Sequence, residues 1–595
     1  MAAVVSRFWC VLLGLTLLLT SCNPTQLRTE AAQVSQLIIS TISDPKTFNY
    51  VFNQEYPHVF LFTTEGLTTL NGITAKIEPA LAESWQISED NKRITFTLRP
   101  GLQWSDGAPL TADDVIFTYQ DVIFNPAIPT DFKDFLKVGA SGVFPEIRKI
   151  SDRQVEFVFP EPFAPFLSTT TGPSTNSVGI LPKHALAKFI TTKDVKGKPV
   201  FLSTWGTDTD PQKIVVNGPY KIESYASSQR VIFRRNPYYW RKDEQGNRQP
   251  YIERIIWQII ESTDTSILQF RSRGLDVVEV SPENFSLLKR EEERGDFTIY
   301  NGGPRFQKVF IAFNLNKGKR NNQPLIDPIK SRWFNTLKFR QAIAHAIDRQ
   351  TMLNNVFRGL GNLQDSPIDI QSPFYLSPAQ GLRVYEYNLS KARELLAKAG
   401  FKYNNKKQLL DAQGNRVRFS LITNAENKTR VAMGAQIKQD LSKIGIQVDY
   451  NPIAFNTLTD KLSNSLDWEC HLLGFTGGIE PHDGANVWLP DGGLHSFNQK
   501  PLAGQEPITG REVADWETEI GNLYIKGSQE LDQAKRKQIY AETQRLSQEY
   551  LPFIHLVSPL SLGAVRDRIQ GVEYSALGAQ GGTLWDKYKL RVQSP

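Results

Sequence analysis

The side chains best able to do chemistry gather between residues 474 and 498. There the chain reads Gly474-Phe475-Thr476-Gly477-Gly478-Ile479-Glu480-Pro481-His482-Asp483-Gly484-Ala485-Asn486-Val487-Trp488, with His495 and Asn498 following. Two carboxylates, imidazoles that change charge near neutral pH and an indole face suit the holding of an organic solute by charge, hydrogen bonding and stacking. Metal ligation by His471, His482, His495, Glu480 and Asp483 is a rival, but their spacing fits neither zinc nor calcium-loop patterns, and no metal or other cofactor is expected. A polar, solvated loop is the third reading. The 7 histidines include no H-E-x-x-H pair, and the chain has no G-x-S-x-G elbow, Walker loop or G-x-G-x-x-G fingerprint. Asp113-Asp114 is accounted for by a helix start, and Asp208-Thr209-Asp210 is too short for a calcium loop. No catalytic residue is assigned, and the expectation is a binding protein rather than an enzyme.

Such a loop needs a sheet to carry it. Leu472-Leu473 just ahead is strand-like, and loops that leave strand C-termini in α/β sheets line ligand crevices. Leu37-Ile38-Ile39 forms another buried strand, and Phe48 and Asn49 after it are expected to face the same cleft. Trp205 and Tyr220 are read as core. Trp85-Gln86-Ile87 and Ile94 to Arg99 flank a polar turn and make a hairpin. Thr111-Ala112-Asp113-Asp114 opens a helix with a capping box. Apolar periodicity predicts one helix over 339–357, a second over 390–399 stopped by Gly400, and a third over 427–444 stopped by Gly445. The alternating runs at Val417–Leu421 and Ile446–Tyr450 bracket the last of these, which implies a parallel pair joined by a right-handed crossover. The fold class is α/β with antiparallel hairpins.

Composition narrows the function further. The chain has 595 residues, 40% apolar and 22% charged, which excludes disorder and collagen-like structure. Its 68 Lys and Arg against 62 Asp and Glu give a net charge of +6, with no basic cluster, so nucleic acid is not an expected partner. Arg7 followed by the apolar run Phe8–Thr20 reads as a secretory signal, shorter than the roughly 20 residues a spanning helix needs. It ends in Leu19-Thr20-Ser21-Cys22. The 3 cysteines cannot build a disulfide framework. Cys10 leaves with the signal, and Cys470 is read as a buried thiol. Residues 23–35 are polar and unpatterned, a tether that reaches at most about 45 Å.

Several motifs in fixed order resemble family 5 extracellular solute-binding proteins, the peptide- and nickel-binding components of ABC importers. They include Ala80-Leu81-Ala82-Glu83-Ser84-Trp85, Gly101-Leu102-Gln103-Trp104-Ser105-Asp106-Gly107, Asn217-Gly218-Pro219-Tyr220, Arg235-Asn236-Pro237-Tyr238-Tyr239-Trp240, Ala312-Phe313-Asn314-Leu315-Asn316 and Leu551-Pro552-Phe553-Ile554. Small residues ahead of Cys22 resemble a lipobox, which implies lipidation of that cysteine. The resemblance implies a bilobal type 2 periplasmic-binding fold with an extra domain inserted in the first lobe. Carried onto this chain, residues 1–21 are signal and 22–35 lipidated tether. Lobe one takes 36–70, 215–305 and 556–595, the insertion 71–214, and lobe two 306–555. The implied function is capture of an oligopeptide or peptide-like solute and delivery to a membrane permease driven by a separate ATPase. The receptor is expected to be a monomer, extracytoplasmic and lipid-anchored. The rival readings are a saccharide or nickel complex on the same scaffold, or a non-transport sensor. In the peptide-binding branch the stretch at Phe475 resembles aromatic-x-Ala-Asp, with the Asp holding the peptide ammonium. Gly478 stands where that acid would be, which leaves Glu480 as its substitute. The expected ligand contacts are Phe48, Asn49, Phe475, Gly478, Glu480, His482, Asp483, Trp488 and His495.

Overall fold

The structure, a computed structural model, describes residues 34–52, 59–130, 132–139, 141–172, 177–501, 505–577 and 582–593. The signal, Cys22 and most of the tether lie outside these residues. Among the described residues no helix is long and apolar enough to cross a membrane.

Apolar alternation sorts the strands into four main sheets. In the first, Gln36–Thr41 runs parallel to Arg254–Ile259, which continues antiparallel to Arg230–Arg235 and Tyr220–Ala226. The expected hairpin closes as Ala82–Ile87 against Arg93–Leu98, and Gln154–Val158 and Glu146–Ser151 extend it to four antiparallel strands. These two sheets share one apolar core, in which Phe62 packs its ring 4.8 Å from Phe233 and 5.7 Å from Trp257. A third sheet orders Val277–Glu279, Val557–Arg566 and Phe297–Pro304.

The fourth sheet has five strands in the order Gln447–Ile453, Arg418–Asn424, Cys470–Thr476, Gln307–Phe313, Phe553–His555. The expected parallel pair is present between Arg418–Asn424 and Gln447–Ile453, joined by the helix Lys428–Ser442. Gln307–Phe313 runs antiparallel to both its neighbours. A separate core lies around it, where Phe313 meets Phe334 at 4.9 Å and Phe419 at 5.3 Å.

Helix ends follow their capping residues. Thr111 and Asp114 form the reciprocal box, with Thr111 N–H donating to Asp114 Oδ2 at 2.9 Å. Asn388 and Asn427 accept from the first turns of helices Leu389–Lys398 and Lys428–Ser442. Gly400 and Gly445 take φ of +89° and +76°, the left-handed conformation that ends a helix cheaply only at glycine. One expectation fails. The helix predicted over 339–357 is two helices, Leu337–Ala346 and Arg349–Asn355. Ile347 is extended there, and the Asp348 carboxylate accepts from Thr351 N–H at 2.9 Å, so a cap interrupts the periodic stripe. The local bond outweighs propensity because Ile347 is buried on either side of the break.

The chain passes between the third and fourth sheets at two places that lie side by side. Arg305 and Phe306 link Phe297–Pro304 to Gln307–Phe313, and Leu556 alone links Phe553–His555 to Val557–Arg566. Arg305 N–H donates to Pro559 O at 2.9 Å, and Leu556 N–H to Val309 O at 2.9 Å.

Candidate interlobe binding site

A cavity of about 610 Å³ opens between the two sheet systems, a volume suited to a small ligand. One wall comes from the early part of the chain. Tyr50 and Phe132 stack at 5.3 Å with planes 28° apart, and Thr130, Asp134 and Phe135 continue that wall.

The opposite wall is a product of strand periodicity. On Gln307–Phe313, Lys308 and Phe310 share a face, as do Phe553 and His555 on the edge strand beside it. Phe475 sits directly across from Lys308 in register. These residues all line the cavity. The ring of Phe310 lies 4.4 Å from Phe553 and 4.9 Å from Phe475, and Trp488 adds its indole 5.6 Å from Phe553. The result is a continuous aromatic surface facing Tyr50 and Phe132.

Charge enters this wall already paired. Lys308 Nζ stands 2.5 Å from Asp369 Oδ2, and Glu480 Oε1 accepts from Arg536 at 2.7 Å. Arg536 is held on the far side, donating through Nε to Gly527 O at 2.8 Å and covering the rings of Phe374 and Tyr540. Glu480 also caps the turn Pro481–Gly484, accepting from His482 N–H. Burial raises the Asp369 carboxyl, and it raises Asp483 well above the usual range, with the Glu480 charge adding to the effect. The ring of His555 is buried and pushed down to about 3, first by burial and then by Lys308 and Arg349.

Glycine makes this packing possible. A Cβ on Gly477 would meet Asp369 Oδ2 at 1.9 Å and Lys308 Nζ at 2.2 Å. One on Gly478 would stand 2.6 Å from Asp483 Oδ2, so the Asp483 carboxylate fills the volume that a side chain at 478 would take.

Of the residues expected from sequence, Phe475, Gly478, Glu480, Asp483 and Trp488 line the cavity. Four others are placed elsewhere. Phe48 is core, edge-on to Tyr225 at 5.5 Å. Asn49 is buried, its amide donating to Thr204 O at 3.1 Å and its Oδ1 accepting from Val51 N–H, so it braces a turn. His495 is fully buried between Val487 O at 2.9 Å and Glu517 Oε2 at 3.0 Å. His482 is buried edge-on against Phe163, 5.4 Å away, behind the cavity wall. Trp205 and Tyr220 are core, as read. Lys308, Phe310, Phe553 and His555 carry no local signal, because strand pairing assembles them from distant segments, and Asp369 reaches them from a separate loop. Tyr50 lies one residue beyond the pair that sequence singled out.

Two mixed lobes that close a cavity over their sheet edges define a type 2 periplasmic-binding fold. The chain belongs to the bacterial extracellular solute-binding proteins, family 5, whose "Middle" model matches residues 76–493. A probable ABC transporter-binding protein of Deinococcus radiodurans is 30% identical over 557 residues, covering 90% of this chain and 88% of that one. The oligopeptide-binding protein AppA of Bacillus subtilis is 24% identical over 477 residues, 77% of this chain and 78% of that one. Among solved structures, the periplasmic binding protein MelB of Agrobacterium fabrum C58, in complex with stachyose, superposes with a TM-score of 0.77 at 22% identity, covering 94% of this chain and 84% of that one. AppA of Bacillus subtilis with a nonapeptide gives 0.72 at 21% identity, covering 94% and 99%.

Proposed function

We propose that this protein is the extracytoplasmic receptor of an ABC importer, closing its lobes on an oligopeptide or peptide-like solute and handing it to a membrane permease. The observation that carries the reading is the cavity itself, walled by Tyr50, Thr130 and Phe132 from one side and by Phe310, Phe475 and Phe553 from the other. A ligand that touches both walls only when they meet shifts the opening equilibrium by its preference for the closed form. Family membership and the names of the relatives support peptide as the cargo. In this reading residues 36–70, 215–305 and 556–595 form lobe one, 71–214 an inserted domain and 306–555 lobe two. The four-stranded sheet from Ala82 to Val158 supports the insertion. Lipid on Cys22 would hold a monomeric body near the membrane through the tether.

A saccharide is the second reading, favoured by two facing aromatic surfaces on which the C–H faces of a sugar can stack. Native mass spectrometry of protein purified without refolding, followed by extraction of the bound molecule, decides between them. A peptide supports the first reading, an oligosaccharide replaces it with the second, and turnover of the extracted molecule would sink both.

A further inference from the structure

We propose that the interlobe cavity excludes ligand carboxylates. The part of the solute held there is uncharged or cationic: the amine end or the interior of a peptide, or a neutral glycosyl chain, with any free acid group left outside. This rests on the receptor reading above and adds to it a rule of selection.

Among the described residues lining the cavity, Lys308 is the one lysine or arginine, against Asp134, Asp369, Glu480 and Asp483. Lys308 is also spent. Its ammonium sits 2.5 Å from Asp369, its side chain is only 16% exposed, and Gly477 lets the pair press close against the loop. Two guanidiniums stand behind the wall: Arg536 is bound to Glu480 and to Gly527 O, and Arg349 to Asp365 at 2.5 Å and to Tyr385 O at 2.7 Å. His555 is the remaining nitrogen base, and it is held neutral in its buried position.

An entering carboxylate would lose its water and, among the described residues lining the cavity, find no cation free to replace it. Burying an unpaired carboxylate is costly, and the paired acids of the lining leave no net positive charge to offset it. Asp369 Oδ1 is itself buried and has no hydrogen-bond partner. A ligand that donates, such as an amide N–H, an ammonium or a hydroxyl, carries no such charge to bury against this acid-rich lining. The aromatic walls accept uncharged backbone or sugar faces alike.

The test uses the mature protein and matched ligands in isothermal titration. Tetra-alanine and its C-terminal amide differ in a single carboxylate, and the amide should bind at least tenfold tighter. Equal affinity, or tighter binding of the free acid, overturns the proposal. Stachyose and tetragalacturonate form the neutral and acidic saccharide pair. If stachyose binds and neither peptide does, the peptide reading fails while the exclusion rule stands, provided tetragalacturonate binds at least tenfold more weakly. Equal binding of that pair overturns the rule. Asp369→Asn releases the Lys308 ammonium into the cavity, so it should narrow the amide-to-acid ratio at least fivefold. A purely structural role for the pair would weaken both ligands together and leave their ratio unchanged. The ratio measured on the parent protein needs no variant to fold.

Discussion

His471 shows what a single buried side chain contributes. It is fully buried in the strand Cys470–Thr476, both ring nitrogens lack partners, and burial lowers its pKa to about 3 from an unfolded value of 6.5. Below pH 6.5 the unfolded chain takes up a proton that the folded one refuses, so this residue removes stability as pH falls towards 3. Replacing it removes that dependence. Urea unfolding of His471→Phe against the parent should show their stability difference moving in the variant's favour by about 1.4 kcal/mol per pH unit between pH 6 and 4. A pH-independent difference would mean that His471 is hydrated or paired. Trp104 is the packing counterpart, 1% exposed and seated in the passage between Gly101 and Gly107. Trp104→Ala should cost about 3–5 kcal/mol in the same assay.

Segments, too, can be tested singly, and they were read with uneven success. Asp348 decides where one long apolar stripe becomes two helices, and Asp348→Ala should cost about 1 kcal/mol with loss of helical circular dichroism confined to one short segment. Gly445→Ala should cost more, at least about 1–2 kcal/mol, because its φ is left-handed and a Cβ would approach Lys407 O to 2.5 Å. Caps, terminal glycines and alternating strands were legible because their physics is local. Thr111 with Asp114, Asn427 and Gly400 announce themselves within a few residues. The cavity was only half legible. Phe475, Glu480, Asp483 and Trp488 come from one glycine-rich loop, and that loop was readable. Lys308 and His555 come from strands that meet only through antiparallel register, and Asp369 from a distant loop, for which a single sequence carries no sign. His482 and His495 misled for the opposite reason. Their residue type suggests chemistry, but a ring beside Phe163 and a bond to Glu517 use them for packing.

At the scale of the whole molecule, the lobes touch beyond the cavity. His482 meets Phe163, Ile479 packs with Phe306, Ala576 and Leu577, and Lys428 Nζ lies 3.0 Å from Asp264 Oδ2 across the surface. The last pair is exposed, so its contribution is about 0.2–1 kcal/mol and depends on salt. Lys428→Glu should therefore weaken ligand binding by about 1.4- to 5-fold at low ionic strength. The effect should vanish near 1 M salt, where the screening length falls to about 3 Å. A loss that persists in high salt would point to misfolding rather than to impaired closure. Small-angle scattering on the parent should show compaction on ligand addition, and less of it in the variant at low salt.

The crossings at Arg305-Phe306 and Leu556 are each tied to the strand that follows the other, through Arg305 N–H to Pro559 O and Leu556 N–H to Val309 O. Two pins side by side turn like a door and resist the twisting that a ball in a socket would allow. Two adjacent crossings favour a swing about one axis, and a pair of dyes on the outer lips should report it as a change in energy transfer when ligand is added.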